Sequence, residues 1–397
     1  MSDSVKLRHK LLPSLVMFWL IGYFFFPTNK MHYQVFIVTF VLGGLWVAFR
    51  EKFNVKLIFQ SKILLSVFLF ALYYLSSLFW PVGTPIDDRI GEAKSVIYLI
   101  LFGFLIFFSM RHKQDFLPQL LKYGFLAAVG SLLLSCIMFY LVNEQSFSQR
   151  LHGYGRLWSP LWMAALYGGV AITALGLLSH QTKKVSTTNT CLLTLVLALA
   201  VFAVIATHSR TAIVMTLLVL FLTFLSGKLS LSYKLSLSIF AVVLFLVIAF
   251  LSFPHFEADL QRGQSFRLDI WMGALELVKQ APIFGYGAGS DTPISSTIST
   301  VDGWHYYHST YIATLVDLGL VGLGLQIFIL VVTFNVAWQL REDLKVRVSA
   351  FILFFSCLIS LTFGEGIISR MNVQWLLMWL PIMLIAYAEI DKTNNLE

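Results

Sequence analysis

Three residues stand where their types and neighbours could do chemistry. Arg210 is the charged side chain of the turn Thr207-His208-Ser209-Arg210-Thr211, between two long apolar runs. Arg267 opens a short amphipathic pattern inside the longest polar stretch. His308 ends the aromatic segment Trp304-His305-Tyr306-Tyr307-His308 and leads into another apolar run. A guanidinium presents a planar fork of donors that grips phosphate in a bidentate way and keeps its charge. An arginine so close to two apolar runs is expensive and calls for a partner or a ligand. A histidine titrates near neutrality and can take a proton from a sugar hydroxyl. Blander readings stand beside these: arginine snorkelling to headgroups, and an interfacial histidine in an aromatic belt. His305 is the rival to His308, with aromatic neighbours that suit a belt residue.

The chain that must position these groups has 397 residues, 58% of them hydrophobic and 12% charged. That charged share is about half of what a soluble domain carries. The arithmetic predicts an all-α polytopic membrane protein and excludes a secreted disulfide scaffold and a nucleic-acid module. Twelve spans are expected near 11–27, 31–49, 63–81, 95–110, 122–142, 159–179, 190–207, 211–226, 235–253, 315–337, 348–363 and 373–388. The first run lacks a cleavage site and reads as a retained span. Cys136, Cys191 and Cys357 lie in apolar runs, so no disulfide frame or zinc site is expected.

Lysine and arginine set the orientation. With both termini cytoplasmic, eighteen of the 28 basic residues fall inside. The inner set is lysine-rich, whereas seven of the ten outer cations are arginine, including Arg150, Arg156, Arg210, Arg267 and Arg370. The net charge of +8 therefore reports topology, about +10 inside and −2 outside. The longest loop, 254–314, is external and separates spans nine and ten. A loop of that length is usually functional. The whole of 1–397 reads as one integral membrane domain, with 254–314 a subregion that carries part of the site.

Inside that loop Ser265 is expected to cap a helix, with Leu268, Trp271, Leu275 and Val278 on one face and Pro282 as its end. It reads as a surface-lying helix, either a plain anchor or one whose first turn helps Arg267 hold an anion. Gly285-Tyr286-Gly287-Ala288-Gly289 follows no strand, and is expected to be a flexible turn. Glu365 is positioned to pair with Arg370. Asp87-Asp88 is a weak two-carboxylate signal, and no metal site is assigned.

These segments together resemble the O-antigen ligase and polymerase superfamily, the Wzy_C group. Its signature of His-Asn/Ser, nine residues and Gly-x-x-Gly reads here as His308-Ser309, then Gly319-Leu320-Val321-Gly322. His208-Ser209-Arg210-Thr211-Ala212 is similar to its Arg turn between spans. Phe266-Arg267-Leu268-Asp269-Ile270-Trp271 with Ala281-Pro282 is similar to its Arg-Leu helix. Lys94, and Arg150 with Ser159-Pro160, match more loosely. Length, topology and loop position favour the ligase branch.

The resemblance implies a GT-C-like, metal-independent, inverting glycosyltransferase of the bacterial inner membrane, with its active site facing the periplasm. It implies an undecaprenyl-pyrophosphate-linked glycan as donor and a lipid A–core sugar hydroxyl as acceptor, with no cofactor. Arg210 and Arg267 would stabilise the leaving pyrophosphate, and His308 would accept the hydroxyl proton. Lys94, Arg150, Arg156 and Arg370 would be further substrate contacts. A polysaccharide polymerase of the same superfamily is the main alternative. A twelve-span secondary transporter is a more distant one, since such proteins show related halves and none is visible here.

Overall fold

The computed structural model describes residues 3–50, 59–180, 187–227, 267–292, 307–364, 366–368 and 372–394. Among them no strand occurs; the described chain is helical. In chain order the helices are α1 (Asp3–Ile21), α2 (Asn29–Phe36, carried on past a wider turn by Gly43–Arg50), α3 (Lys62–Ser77), α4 (Ile86–His112), α5 (Phe116–Cys136), α6 (Pro160–Ser179), α7 (Thr187–Ala206), α8 (Arg210–Ser226), α9 (Arg267–Gln280), α10 (Thr310–Gln339), α11 (Leu344–Ile359) and α12 (Leu380–Asn394). Wider π-type turns extend α2 and α5 and precede α12. The expected ninth span, 235–253, lies outside the described residues.

Among the described residues five helices are long and apolar enough to cross a membrane: Ile86–His112, Phe116–Val142, Pro160–Ser179, Thr188–Ala206 and Thr310–Gln339. Leu11–Phe24, Lys62–Ser77 and Arg210–Ser226 are shorter apolar helices. This is a helical membrane protein. Two-thirds of the apolar window of α6 is buried (67%), against 28% in α5 and in α7. α6 is thus the central rod, packed by α7, α8 and α11. A side chain at Gly168 of α6 would meet Phe355 and Thr216 at 2.4 and 2.8 Å, so small residues there let the helices close up. On α5 and α8, Leu133, Ile137, Val214 and Leu218 stay exposed, as lipid-facing side chains should.

Caps fix several helix starts. The Ser61 hydroxyl accepts from Leu64 N at 3.1 Å and donates to Glu389 Oε2 at 2.6 Å, joining the start of α3 to α12. Asp343 accepts from Lys345 N at 2.8 Å at the head of α11. α6 begins with Pro160, whose missing N–H costs nothing at that position. A dense aromatic nest of Trp19, Tyr23, His32, Phe36, Phe40, Phe102 and Trp375 joins α1 and α2 to α4 and to the approach to α12.

Candidate active site

The site lies where α8 and α10 begin. Among the described residues three non-glycine residues have positive φ: Glu144 (51°), His208 (49°) and His308 (51°). Both histidines therefore hold the left-handed conformation one residue before the N-cap serine of a helix, Ser209 for α8 and Ser309 for α10. That conformation costs roughly 1 kcal/mol for a residue with a β-carbon and collects at functional sites. Ser309 is buried, and its hydroxyl accepts from Ile312 N at 3.4 Å as a helix cap. Thr310 N donates to Ser360 O at 3.0 Å, and Gln374 Nε2 donates to Thr310 Oγ1 at 2.7 Å. His308 is thereby set on a braced backbone.

The Arg210 turn is held in the same way. Thr207 is fully enclosed, and Arg210 is exposed as the first residue of α8. A cation at the positive end of a helix dipole is unfavourable by a few tenths of a kcal/mol up to about 1. An anion lodged there reverses that sign, because the free N–H groups and the guanidinium then act together.

Arg150 links this turn to the next group. Its Nε donates to Thr207 O at 3.0 Å, and Leu151 N donates to Ala206 O at 2.8 Å. Arg150 is also close enough to Arg267 for their like charges to interact. Burial first, and then the charge of Arg150, hold the Arg267 guanidinium below its ordinary pKa. Arg267 is half-buried and joins no ion pair among the described residues. It faces His308 in turn: burial first, and then the Arg267 charge, lower the His308 pKa below the ordinary value of 6.5. The lowered pKa favours the neutral imidazole, the form that can accept a proton. Arg150, Arg267 and His308 come together, with the Arg210 turn tied in through Thr207.

α9 carries Arg267 to this place. Trp271 Nε1 donates to the carbonyl of Tyr307 at 3.0 Å, the residue before His308. Ile270 and Ala274 form a small core with Tyr307, Ala313 and Val316 of the α10 entrance. The apolar face read from the sequence divides between protein and surround. Trp271 and Val278 pack inward, but Leu268 and Leu275 remain exposed beside Met272. α9 is apolar on two sides, one for the protein and one for an apolar surround. The expected cap Ser265, together with Phe266, lies outside the described residues.

The glycine run is not a flexible turn. Gly285, Gly287 and Gly289 all have positive φ (68°, 95° and 71°), and a β-carbon on Gly287 would lie 2.7 Å from Pro81 Cα. The loop docks into a break in α10 at Gly319 (φ 64°, ψ −165°). In an unbroken helix Leu320 N and Val321 N would bond to the carbonyls of Val316 and Asp317. Here those carbonyls accept from Tyr286 N and Gly287 N at 3.0 and 2.8 Å. Leu320 N and Val321 N donate to Pro282 O and Ile283 O at 2.9 and 3.1 Å. The loop thus replaces one missing turn, bond for bond. Gly319 of the Gly-x-x-Gly segment is the residue that permits it, since a β-carbon there would sit 2.3 Å from Ile283 O.

The remaining expectations are placed as follows. Lys94 is exposed near the start of α4, with no hydrogen bond or ion pair among the described residues. Arg156 is buried, its guanidinium 4.5 Å above the Tyr23 ring and donating to His32 Nδ1. Arg89 is spent on the carbonyls of Thr84 and Pro81 at 3.2 and 3.3 Å. Asp87 and Asp88 lie in the first turn of α4, where the dipole favours acids. Arg370, Glu365 and His305 lie outside the described residues. Nothing in the residue pattern marks the Trp271–Tyr307 link or the Gln374–Thr310 bond, because both are long-range.

The Wzy_C family, described as O-antigen ligase, matches residues 195–327, the stretch that holds Arg210, Arg267, His308 and Gly319. The chain is also 26% identical to an O-antigen ligase of Pseudomonas aeruginosa over 381 residues, 96% of this chain and 90% of that protein. The family match covers about a third of the chain and the ligase match nearly all of it, so the chain is similar to O-antigen ligases across the stretch that holds this cluster.

Proposed function

We propose that this protein transfers a glycan from undecaprenyl pyrophosphate to a sugar hydroxyl of lipid A–core at the periplasmic face of the bacterial inner membrane. In this reading twelve spans in a GT-C-like arrangement hold both termini in the cytoplasm. The observation that carries it is the meeting of Arg150, Arg267 and His308, in which the Arg150 charge acts on Arg267 and the Arg267 charge acts on the histidine. Such a cluster is stable when an anion sits in it. A pyrophosphate supplies that anion.

The chemistry is a single displacement. His308 accepts the hydroxyl proton as the acceptor oxygen attacks the anomeric carbon. The bond from that carbon to the pyrophosphate oxygen breaks, and undecaprenyl pyrophosphate leaves with the electron pair. Arg267 and Arg210 meet the charge that develops on it. One displacement inverts the anomeric centre. Arg150 is a further phosphate contact, with Lys94 and Arg370 on sugar or phosphate. Because the arginines supply the charge, transfer proceeds in the presence of a chelator.

The test is transfer from a lipid-pyrophosphate glycan to purified lipid A–core by the purified protein. Product on lipid A–core, lost in Arg267→Ala, supports the reading. Lengthened lipid-linked glycan without lipid A–core product would assign the polymerase reaction instead. Glycan-independent flux in proteoliposomes would assign transport.

A further inference from the structure

Arg156 was expected among the substrate contacts, yet it is 6% exposed and sits in the aromatic nest. The single helical turn Gly155–Leu157 presses it there. Gly155 has φ 62°, and a β-carbon on it would lie 2.5 Å from Phe26 O. Arg156 N donates to that same carbonyl at 3.2 Å. The guanidinium covers the Tyr23 ring and donates to His32 Nδ1. His32 Nε2 bonds to Trp19 O at 2.8 Å. A carbonyl only accepts, so Nε2 carries the hydrogen and Nδ1 is left to receive the arginine.

The contacts continue across the molecule. Tyr23 Oη donates to Asn372 O at 2.8 Å, between residues 349 positions apart. Asn372 Oδ1 accepts from Gln374 N at 2.8 Å. Gln374 Nε2 donates to Thr310 Oγ1 at 2.7 Å, and that hydroxyl donates to Phe363 O at 3.2 Å. Thr310 is two residues from His308 and opens α10. Asn372, Gln374 and Thr310 are all buried, so water does not readily substitute for a lost bond. Gly364 (φ 107°) leaves no slack, since a β-carbon there would lie 2.4 Å from Thr310 Oγ1.

We propose that Arg156 is a positioning residue for His308, acting through Tyr23, Asn372, Gln374 and Thr310 rather than by touching a substrate. The proposal rests on the reading of His308 as the proton acceptor. A rigid fork held against the ring and the His32 imidazole fixes Tyr23 better than a flexible apolar side chain of similar volume. It also sets the segment 372–374, and with it the start of α10. The acceptor hydroxyl and the imidazole then meet at a defined distance, which is where a small displacement is felt most.

Single-turnover transfer by full-length purified protein tests this. The variants are Tyr23→Phe and Gln374→Met, which keep shape and remove single links, with Arg156→Met and Arg156→Lys. Donor affinity is read with undecaprenyl pyrophosphate as the probe, and the folded fraction by thermal unfolding. Tyr23→Phe and Gln374→Met are expected to slow transfer per folded molecule by about threefold to tenfold, the value of one hydrogen bond, with probe affinity unchanged. Arg156→Lys is expected to recover part of the rate lost in Arg156→Met. Wild-type rates in both Tyr23→Phe and Gln374→Met would overturn the proposal. So would loss of probe affinity at undiminished rate in Arg156→Met, which would make Arg156 a substrate contact. Transfer that survives in His308→Ala would overturn the underlying reading of His308, a result none of the other variants can mimic.

Discussion

Arg156 and Arg267 carry the same side chain into two different settings. Arg156 is enclosed between Tyr23 and His32. Arg267 is half-buried beside Arg150 and His308, with no ion pair among the described residues. Burial alone therefore does not mark the functional cation. What marks it is a second guanidinium close by: Arg267 lies within reach of the Arg150 charge and joins no ion pair among the described residues. Arg156 is held within the fold by an aromatic ring and an imidazole, whereas the Arg150–Arg267 pair suits a bound anion.

The comparison can be broken at several points. Arg267→Ala has the largest expected effect, a loss of transfer of a hundredfold to a thousandfold or more, as when a charge-stabilising group is removed. Its thermal unfolding should match the wild type, because no internal partner is stranded. Arg267→Lys should recover little if the fork is needed. An unfolding shift as large as the activity loss would make Arg267 structural and erase the contrast.

His308→Ala should stop transfer but keep the binding of undecaprenyl pyrophosphate. In the wild type the neutral imidazole is the active form, so the rate rises with pH through the His308 pKa. That pKa is depressed, so the acid limb should fall below the ordinary histidine range, with full rate at neutral pH. Removing the nearby charge in Arg267→Gln should raise the His308 pKa, read by NMR of labelled histidine. A pKa that stays put would separate the two groups.

Arg156→Ala inverts the pattern. It should lower stability by about 2–4 kcal/mol, as for loss of a buried network, while transfer per folded molecule falls far less than in Arg267→Ala. The smallest effect is expected at Lys279→Ala. Its ion pair with Glu276 is open to solvent (69% and 66% exposed), so neither rate nor unfolding should change.

Much of this was legible in the sequence, and the parts that were not share a cause. Apolar runs located the helices, because burial in lipid leaves an unmistakable composition. Arg210, Arg267 and His308 were visible because a charge or an imidazole at the edge of an apolar run is costly. The sequence marks the apolar face of α9 but not which of its residues meet protein, since the contacts of Trp271 and Val278 are long-range. The glycine run reads as a flexible turn in sequence because its partners at 81–82 and 316–321 are far away in the chain. Arg156 stood among the outer arginines in sequence, and only the bond between Tyr23 and Asn372, 349 positions apart, shows what it braces.

The break at Gly319 bears on how the molecule is assembled. Two carbonyls and two N–H groups of α10 find their partners only on residues 282–287. Within a bilayer each such group left unmet costs several kcal/mol. A newly inserted α10 has two options: to run straight through Gly319, or to wait with four polar groups exposed to lipid. Docking of the loop ends that choice, and in the same event it fixes the entrance of α10 beneath His308. The order of biogenesis follows: a chain in which the loop has not seated has no finished active site, so an incompletely folded copy is also an inactive one.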